Sequence, residues 1–495
     1  MLFLALVLSG VEGQAEFSDA TSQAGLAEPL AGMMGHGGAW GDVDGDGRPD
    51  LFVGGFCDRP NAEYAPAPGP VSARLFRNLG GGRFARVAPS EVEHAARTSG
   101  AVFADLDNDG DLDLVVANNA KGGPGAKGAR SRLLRNDAGT LVDVPGAFPD
   151  DLSTARNVAV LDLDLDGLLD LAIVEDKFTR GEKTRTVLLR NIGGLKFEPA
   201  NSAFGFPDDV FGLGHATADL NGDRRPDLFV GHSNRLFLSD GPRYKEADPA
   251  PFAWNPVDGE DWPCGVALAD LNRDGRFDLV VSGHHAPARL RLWLGTADGF
   301  REATREAGLD ALIPTKAAHV EARDFDNDGW PDLYVSAAWI DNGRVIPLIY
   351  KNLGDGRFQA PRPLAAPMIY YPAGPSADFD GDGRLDLFLV NWYAGRGSVL
   401  LRNESPARRW LDVRAVGKRS NRMGIGARVR VSKDGRLLSL QEISTGHGYA
   451  SGQPALVHVG LGDAAAVDVL VTFPSGATVE KKDVAADQVL IVEEP

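Results

Sequence analysis

Cysteine is nearly absent from this 495-residue chain, which contains only Cys57 and Cys264. They fall in the first and fifth copies of a repeat described below, almost opposite one another in a closed ring of such copies. A disulfide needs Cα atoms within about 7 Å, so both cysteines are read as free. No run of 18 apolar residues occurs, and no transmembrane helix is expected. A nucleophile elbow, a phosphate-binding loop and zinc-ligand spacings are all missing. Bases are outnumbered by acids, 51 to 69, and the formal charge of −18 argues against nucleic acid and anionic membranes as partners. Helix has little room, because 60 glycines break the chain into short segments in the manner of an all-β protein.

What the chain has in abundance is aspartate in a fixed pattern, D-x-[DN]-x-D-G-x-x-D-L, which begins seven times with a period of 51 to 63 residues. A period of that length points to a repeat architecture before any other. The acidic positions are Asp42, Asp44, Asp46 and Asp50; Asp105, Asp107, Asp109 and Asp113; Asp162, Asp164, Asp166 and Asp170; Asp219, Asn221, Asp223 and Asp227; Asp270, Asn272, Asp274 and Asp278; Asp324, Asp326, Asp328 and Asp332; and Asp378, Asp380, Asp382 and Asp386.

Carboxylates packed this densely repel one another unless a cation sits among them, and oxygen ligands alone favour a hard dication. Calcium fits the spacing. Side chains 1, 3 and 5 of a tight loop turn inward, position 7 adds its carbonyl, and the Asp at position 9 closes the shell. Position 7 then has a free side chain, and it varies widely: Arg48, Asp111, Leu168, Arg225, Arg276, Trp330 and Arg384. Position 6 requires a left-handed backbone and is Gly except at Arg224. The loop starting at Asp219, with Asn221 and Arg224, is therefore expected to bind weakest of up to seven Ca2+ sites. A solvated acidic turn would account for one copy but not for seven, and an EF-hand needs a twelve-residue loop, a terminal Glu and flanking helices that are absent. Seven bound Ca2+ would add 14 positive charges and leave −4 of the −18.

Each loop follows a strand of small residues and precedes a greasy strand opened by Leu, as in "LVVAN" and "LYVSA". A third strand ends at Arg-Asn in most copies, and a Gly-rich turn leads to a fourth. The expected fold is all-β, a seven-bladed β-propeller with calcium-binding loops over 16–405, then a small β-sandwich-like domain over 406–495. The seventh repeat lacks its own fourth strand. "FSDATSQAGL" at 17–26 echoes "FREATREAGL" at 300–309 and is expected to supply it, which closes the ring. Residues 1–15 read as a signal peptide cleaved after Gly13 or Ala15, although no Lys or Arg precedes the apolar stretch.

The repeats resemble the FG-GAP or VCBS type of the integrin-α propeller, with "FVGGF" approximating the name-giving string. "NRMGIGARVRV", "HVGLGD" and "VDVLVTFPSG" resemble the ASPIC/UnbV domain, and the combination is similar to the cartilage acidic protein family and its bacterial counterparts. No cysteine-rich EGF-like tail follows. The resemblance implies a secreted, periplasmic or cell-surface calcium-binding protein of recognition or adhesion, with an extracellular protein or glycan as ligand and no catalytic residues to transfer.

The face opposite the calcium loops carries the variable loops, including those at 54–74, 117–132 and 390–398 with Trp392, and is the expected contact surface. Six histidines, His36, His215, His232, His284, His285 and His319, fall at or near it. Thirteen residues after each first Asp stand Gly55, Asn118, Glu175, His232, Gly283, Ala337 and Asn391, expected as a ring around a channel too wide for mutual contact. The alternative from another class is an enzyme, in which Glu175, His232 and His284 converge as an acid/base or metal site.

Overall fold

A computed structural model of the chain describes residues 15–119, 130–149, 152, 154–175, 185–254 and 262–495. The expected signal peptide lies outside the described residues except for Ala15, and so does much of the long loop of the second repeat. Among the described residues strands dominate, and two short 3-10 turns, Asn61–Tyr64 and Ala250–Phe252, interrupt them.

Among the described residues, 17–403 build seven antiparallel sheets, one per repeat; five have four strands, that of the first repeat gains Ser451–Gly452 as a fifth, and that of the sixth gains Met368–Tyr370. In blade two, for example, Thr98–Ala104, Asp113–Asn118, Arg132–Asp137 and Thr140–Asp143 pair in sequence order. The loop D-x-D-x-D-G joins the first two strands of each sheet, and the greasy second strand is buried on both faces: Leu114, Val115 and Ala117 are fully enclosed. Small residues in the first strand allow neighbouring blades to approach. A Cβ on Gly100 would come within 2.7 Å of the Arg156 carbonyl oxygen in blade three, and one on Gly265 within 2.4 Å of the Ala318 oxygen ahead of blade six.

Closure follows the expectation. Phe17–Asp19 pairs antiparallel with Val399–Asn403, Phe17 opposite Asn403 and Asp19 opposite Leu401, and completes blade seven. The Ala20 and Glu404 amides extend the joint to Leu400 and Glu16 at 2.8 and 2.7 Å.

The last ninety residues form two further sheets. One holds Val457–Gly462, Arg409–Val416 and Gln488–Glu493; the other holds Arg436–Glu442, Arg428–Lys433, Ala466–Thr472 and Thr478–Ala485. Leu411, Val413, Val429, Val431, Val459 and Val471 face each other between them, and this core runs without a break into Val102, Val115 and Leu171 of blades two and three.

The open axial channel expected from sequence is not found. Residues 446–452, between the two C-terminal sheets in sequence, run into it. Gly448 exchanges backbone hydrogen bonds with His215 at 3.0 and 3.3 Å, and Ser451–Gly452 pairs in parallel with the inner strand Gly38–Gly41 of blade one. A Cβ on Gly446 would lie 2.0 Å from the Val158 oxygen and one on Gly448 2.4 Å from His319 Nδ1, so these two positions admit only glycine. The sequence "STGHGYASG" supplies both, while the Tyr449 side chain between them and Ser451 is fully buried.

Candidate metal centres

The seven acidic loops share one backbone design. Oδ2 of the first Asp accepts the position-6 amide in every loop, from Gly47 to Asp42 at 2.9 Å through Gly383 to Asp378 at 2.8 Å. Oδ1 of the position-5 Asp accepts the position-7 amide, as Arg48 to Asp46 at 2.9 Å. Position 6 is left-handed throughout, with Gly47 at φ 89° and Arg224, as expected, forced to 69°.

The carboxylates converge. Asp42, Asp44 and Asp46, and Asp105, Asp107 and Asp109, each bring three oxygens within 4.8 Å of one another; in the third, sixth and seventh loops Asp162, Asp164 and Asp170, Asp324, Asp326 and Asp332, and Asp378, Asp380 and Asp386 do the same. Oδ1 of Asp105, Asp162, Asp164 and Asp380, and Oδ2 of Asp332, are buried without a hydrogen-bond partner, whereas Asp326 Oδ2 lies 3.0 Å from the Arg408 guanidinium. A native fold rarely tolerates such orphans, and oxygen-only donors of this number and charge suit a hard cation such as Ca2+. Burial, with neighbouring aspartates, pushes the Asp162 carboxyl up to about 7. Burial likewise pushes Asp113 up to about 7 and Asp170 to about 8, against the backbone amides that pull them down. A cation among them would favour the ionised forms instead.

The fourth and fifth loops, where Asn221 and Asn272 replace Asp, form no such triplet among the described residues. In the fourth, Asn221 Nδ2 donates to the Ser239 carbonyl at 2.8 Å, and the Ser239 hydroxyl lies 2.9 Å from both Asp223 Oδ1 and Asp227 Oδ1. That loop satisfies its own oxygens.

Two details of the sequence reading are corrected. Position 7 is not a free side chain in the first and seventh loops: Arg48 pairs with Asp46 and Arg384 with Asp382, and each also donates Nε to a strand-three carbonyl, at 3.2 and 2.8 Å. Position 9 does more than close a shell. Asp50 takes the Val43 amide on Oδ2 at 3.0 Å and the Asn78 amide on Oδ1 at 2.7 Å, tying loop to third strand.

Sequence reasoning passed over the residues that answer this Asp. Asn78, Asn136, Asn191 and Asn403, the second member of the repeated Arg-Asn doublet, and Asn352 of the corresponding Lys-Asn pair, each send Nδ2 to the position-2 carbonyl of the preceding blade; Asn191 reaches Leu106 O at 2.7 Å. The basic partner meets the acids. Arg77 pairs with Asp44, Arg190 with Asp164 at 2.7 Å, and Lys351 Nζ lies 2.5 Å from both Asp326 and Asp328. In the sixth loop an ammonium therefore competes with any ion. The doublet was visible in sequence, but its reach across blades was not.

The C-terminal sheets dock on the loop face. The Arg422 amide donates to Asn108 Oδ1 at 3.1 Å, His458 Nε2 is 2.8 Å from Asn327 Oδ1, and Glu442 accepts the Asp219 amide at 3.0 Å.

On the opposite face, Trp392 stacks with Arg59, whose guanidinium carbon is 4.8 Å from the ring centroid, and with His36 at 4.4 Å. The ring of residues at the ends of the second strands is held by separate neighbours. Glu175 accepts from Thr154 at 2.9 Å, His232 packs edge-on against Phe211, and His284 packs against Tyr370 and Tyr449. No histidine joins a metal-holding triplet among the described residues.

Residues 42–116 and 219–281 match the FG-GAP-like repeat family, and residues 417–495 match the ASPIC and UnbV family. The chain is homologous to cartilage acidic protein 1 of Mus musculus, 26% identical over 486 residues that cover 91% of this chain and 72% of the mouse protein. It is homologous also to integrin alpha-IIb of Homo sapiens, 31% identical over 152 residues, but these cover 26% of this chain and 14% of the integrin. Among solved structures, a crystal structure of BBS1N in complex with ARL6DN aligns over 79% of this chain and 97% of that chain, with 12% identity and a TM-score of 0.43.

Proposed function

We propose that this protein is a calcium-stabilised recognition or adhesion module that works outside the cytoplasm. The observation that carries the reading is the convergence of three carboxylates in five of the loops on one face, with oxygens of Asp105, Asp162, Asp164, Asp332 and Asp380 buried without a hydrogen-bond partner. Ca2+ would occupy up to seven loops, most weakly the one at Asp219, with Lys351 opposing it in the sixth. In this reading residues 1–15 are a leader, 16–405 the propeller and 406–495 the appended domain. The homology to cartilage acidic protein and integrin alpha-IIb supports an extracellular protein or glycan as partner. The loops around Trp392, opposite the docked C-terminal sheets, supply the contact surface.

Metal analysis of the purified full chain tests this. Several equivalents of calcium removable by chelator are expected. Stoichiometric iron, copper or zinc, together with a turnover lost on His232→Ala in protein that still folds, would instead favour an enzyme.

A further inference from the structure

By its sequence the sixth loop is as complete as any: Asp324, Asp326, Asp328 and Asp332 stand at positions 1, 3, 5 and 9, with Gly329 at position 6. The structure fills it differently. Lys351 Nζ lies 2.5 Å from Asp326 Oδ1, 2.5 Å from Asp328 Oδ2 and 3.7 Å from Asp332 Oδ1, so a single ammonium sits among positions 3, 5 and 9 together. An ion held by those three residues would need the same place. Arg408 adds a second positive charge, its guanidinium 3.0 Å from Asp326 Oδ2 and donating to the Asp326 carbonyl at 2.9 Å. Loop amides satisfy Asp324 and the other oxygen of Asp328, and the Asn352 amide donates to Asp332 Oδ1 at 2.8 Å. Only Asp332 Oδ2 is left without a donor, against the shell of about six to eight oxygens that calcium gathers.

The third loop shows the contrast. There Asp162 Oδ1 and Asp164 Oδ1 both lack donors, and the basic residue equivalent to Lys351, Arg190, pairs with Asp164 while its side chain stays 40% exposed. Lys351 is 11% exposed. Lysine carries its charge as a compact point on a slender stem, which can enter a loop that the planar guanidinium fork meets from the side.

The approach to the sixth loop is closed as well. A Cβ on Gly460 of the C-terminal sheets would lie 2.1 Å from Asp324 Oδ2, and the Gly462 amide donates to the Asn327 carbonyl at 2.9 Å. Asp324, Asp326, Asn327 and Asp332 are all buried. In the first loop, by comparison, a Cβ on Gly45 or Gly47 would meet nothing within 4 Å, and Asp44 and Asp46 are exposed.

We infer that the sixth loop holds no calcium: Lys351 and Arg408 take the place of the ion, and the C-terminal domain is anchored on this loop without a metal. The inference rests on the calcium reading of the other loops, because only a chain that binds calcium can show one loop exempt.

Counting calcium in the full chain tests it. Wild type and Lys351→Met, each purified and dialysed in millimolar calcium so that the loops fold around the ion, are compared by metal analysis. Lys351→Met is expected to hold one more equivalent, because removing the ammonium leaves three converging carboxylates to be neutralised. Equal counts overturn the inference. Should Lys351→Met fail to fold, a crystal structure of the wild-type chain grown in millimolar calcium decides: an ion in the sixth loop overturns the inference, and Lys351 Nζ in that place with ions in other loops supports it. With chelator, at a temperature where the chain stays folded, the Gly462 amide should keep its protection from hydrogen exchange; loss of that protection would show that an ion holds the joint. The calcium reading fails separately, if neither form holds calcium.

Discussion

The phenolic oxygen of Tyr449 lies 3.2 Å from Nδ1 of His36, although 413 residues separate them in the chain. Tyr449 belongs to the C-terminal segment inside the propeller axis, and His36 precedes the first inner strand beside Trp392. Its backbone amide also donates to His319 Nδ1 at 3.0 Å, so the segment is fixed on blades one and six at once. Because the channel segment and the shared core join the two parts, calorimetry of the full chain should show one unfolding transition. A propeller ending at residue 405 should melt clearly lower. Two separate transitions would contradict this coupling.

Calcium and pH should act together. Without a cation, burial holds Asp113 and Asp162 at about 7 and Asp170 and Asp278 at about 8, against 3.8 for an ordinary aspartate. The folded state then keeps protons that the unfolded chain has released. Stability of chelated protein should therefore fall as pH rises from about 4 to about 8. Calcium binds the ionised carboxylates, so it should raise the melting temperature most at the upper end of that window. Scanning fluorimetry at several pH values, with calcium and with chelator, checks both signs. An unchanged melting temperature in protein shown to be metal-free would remove the calcium assignment.

Deletion of residues 1–26 should cost more than trimming a loose terminus. It removes the strand that pairs with Val399–Asn403 and the hydrogen bond of the Leu400 amide to Thr21 Oγ1 at 2.9 Å. An unpaired sheet edge would then face solvent at the ring joint, and both lower melting and a tendency to aggregate are expected. Light scattering and thermal melting of the truncated protein measure the two effects.

Asn191→Ala should destabilise the fold by about 1–3 kcal/mol, since it strips the donor from the buried Leu106 and Leu169 carbonyls at 2.7 and 3.0 Å. Denaturant unfolding gives the number. The fourth and fifth blades carry Ser239 and Gly295 at the equivalent place, so they lack this clamp and should exchange their amide hydrogens sooner than the third.

The sequence by itself determined the repeated unit. Aspartate spacing, the glycine at position 6 and the greasy strand after position 9 are local demands of a tight loop entering a buried strand, so they are legible one copy at a time. Closure by Phe17–Asp19 was also legible, because "FSDATSQAGL" repeats an internal fourth strand. The tertiary structure alone decided which groups from distant copies meet. Asn191 finds a carbonyl of the preceding blade, and His458 of the C-terminal sheets reaches Asn327 of the sixth loop at 2.8 Å. No spacing encodes these contacts, since they depend on how sheets pack around an axis. The filling of that axis is the clearest case: nothing local in "STGHGYASG" places it inside the propeller, and only the close approach of Val158 and His319 explains why Gly446 and Gly448 carry no side chain.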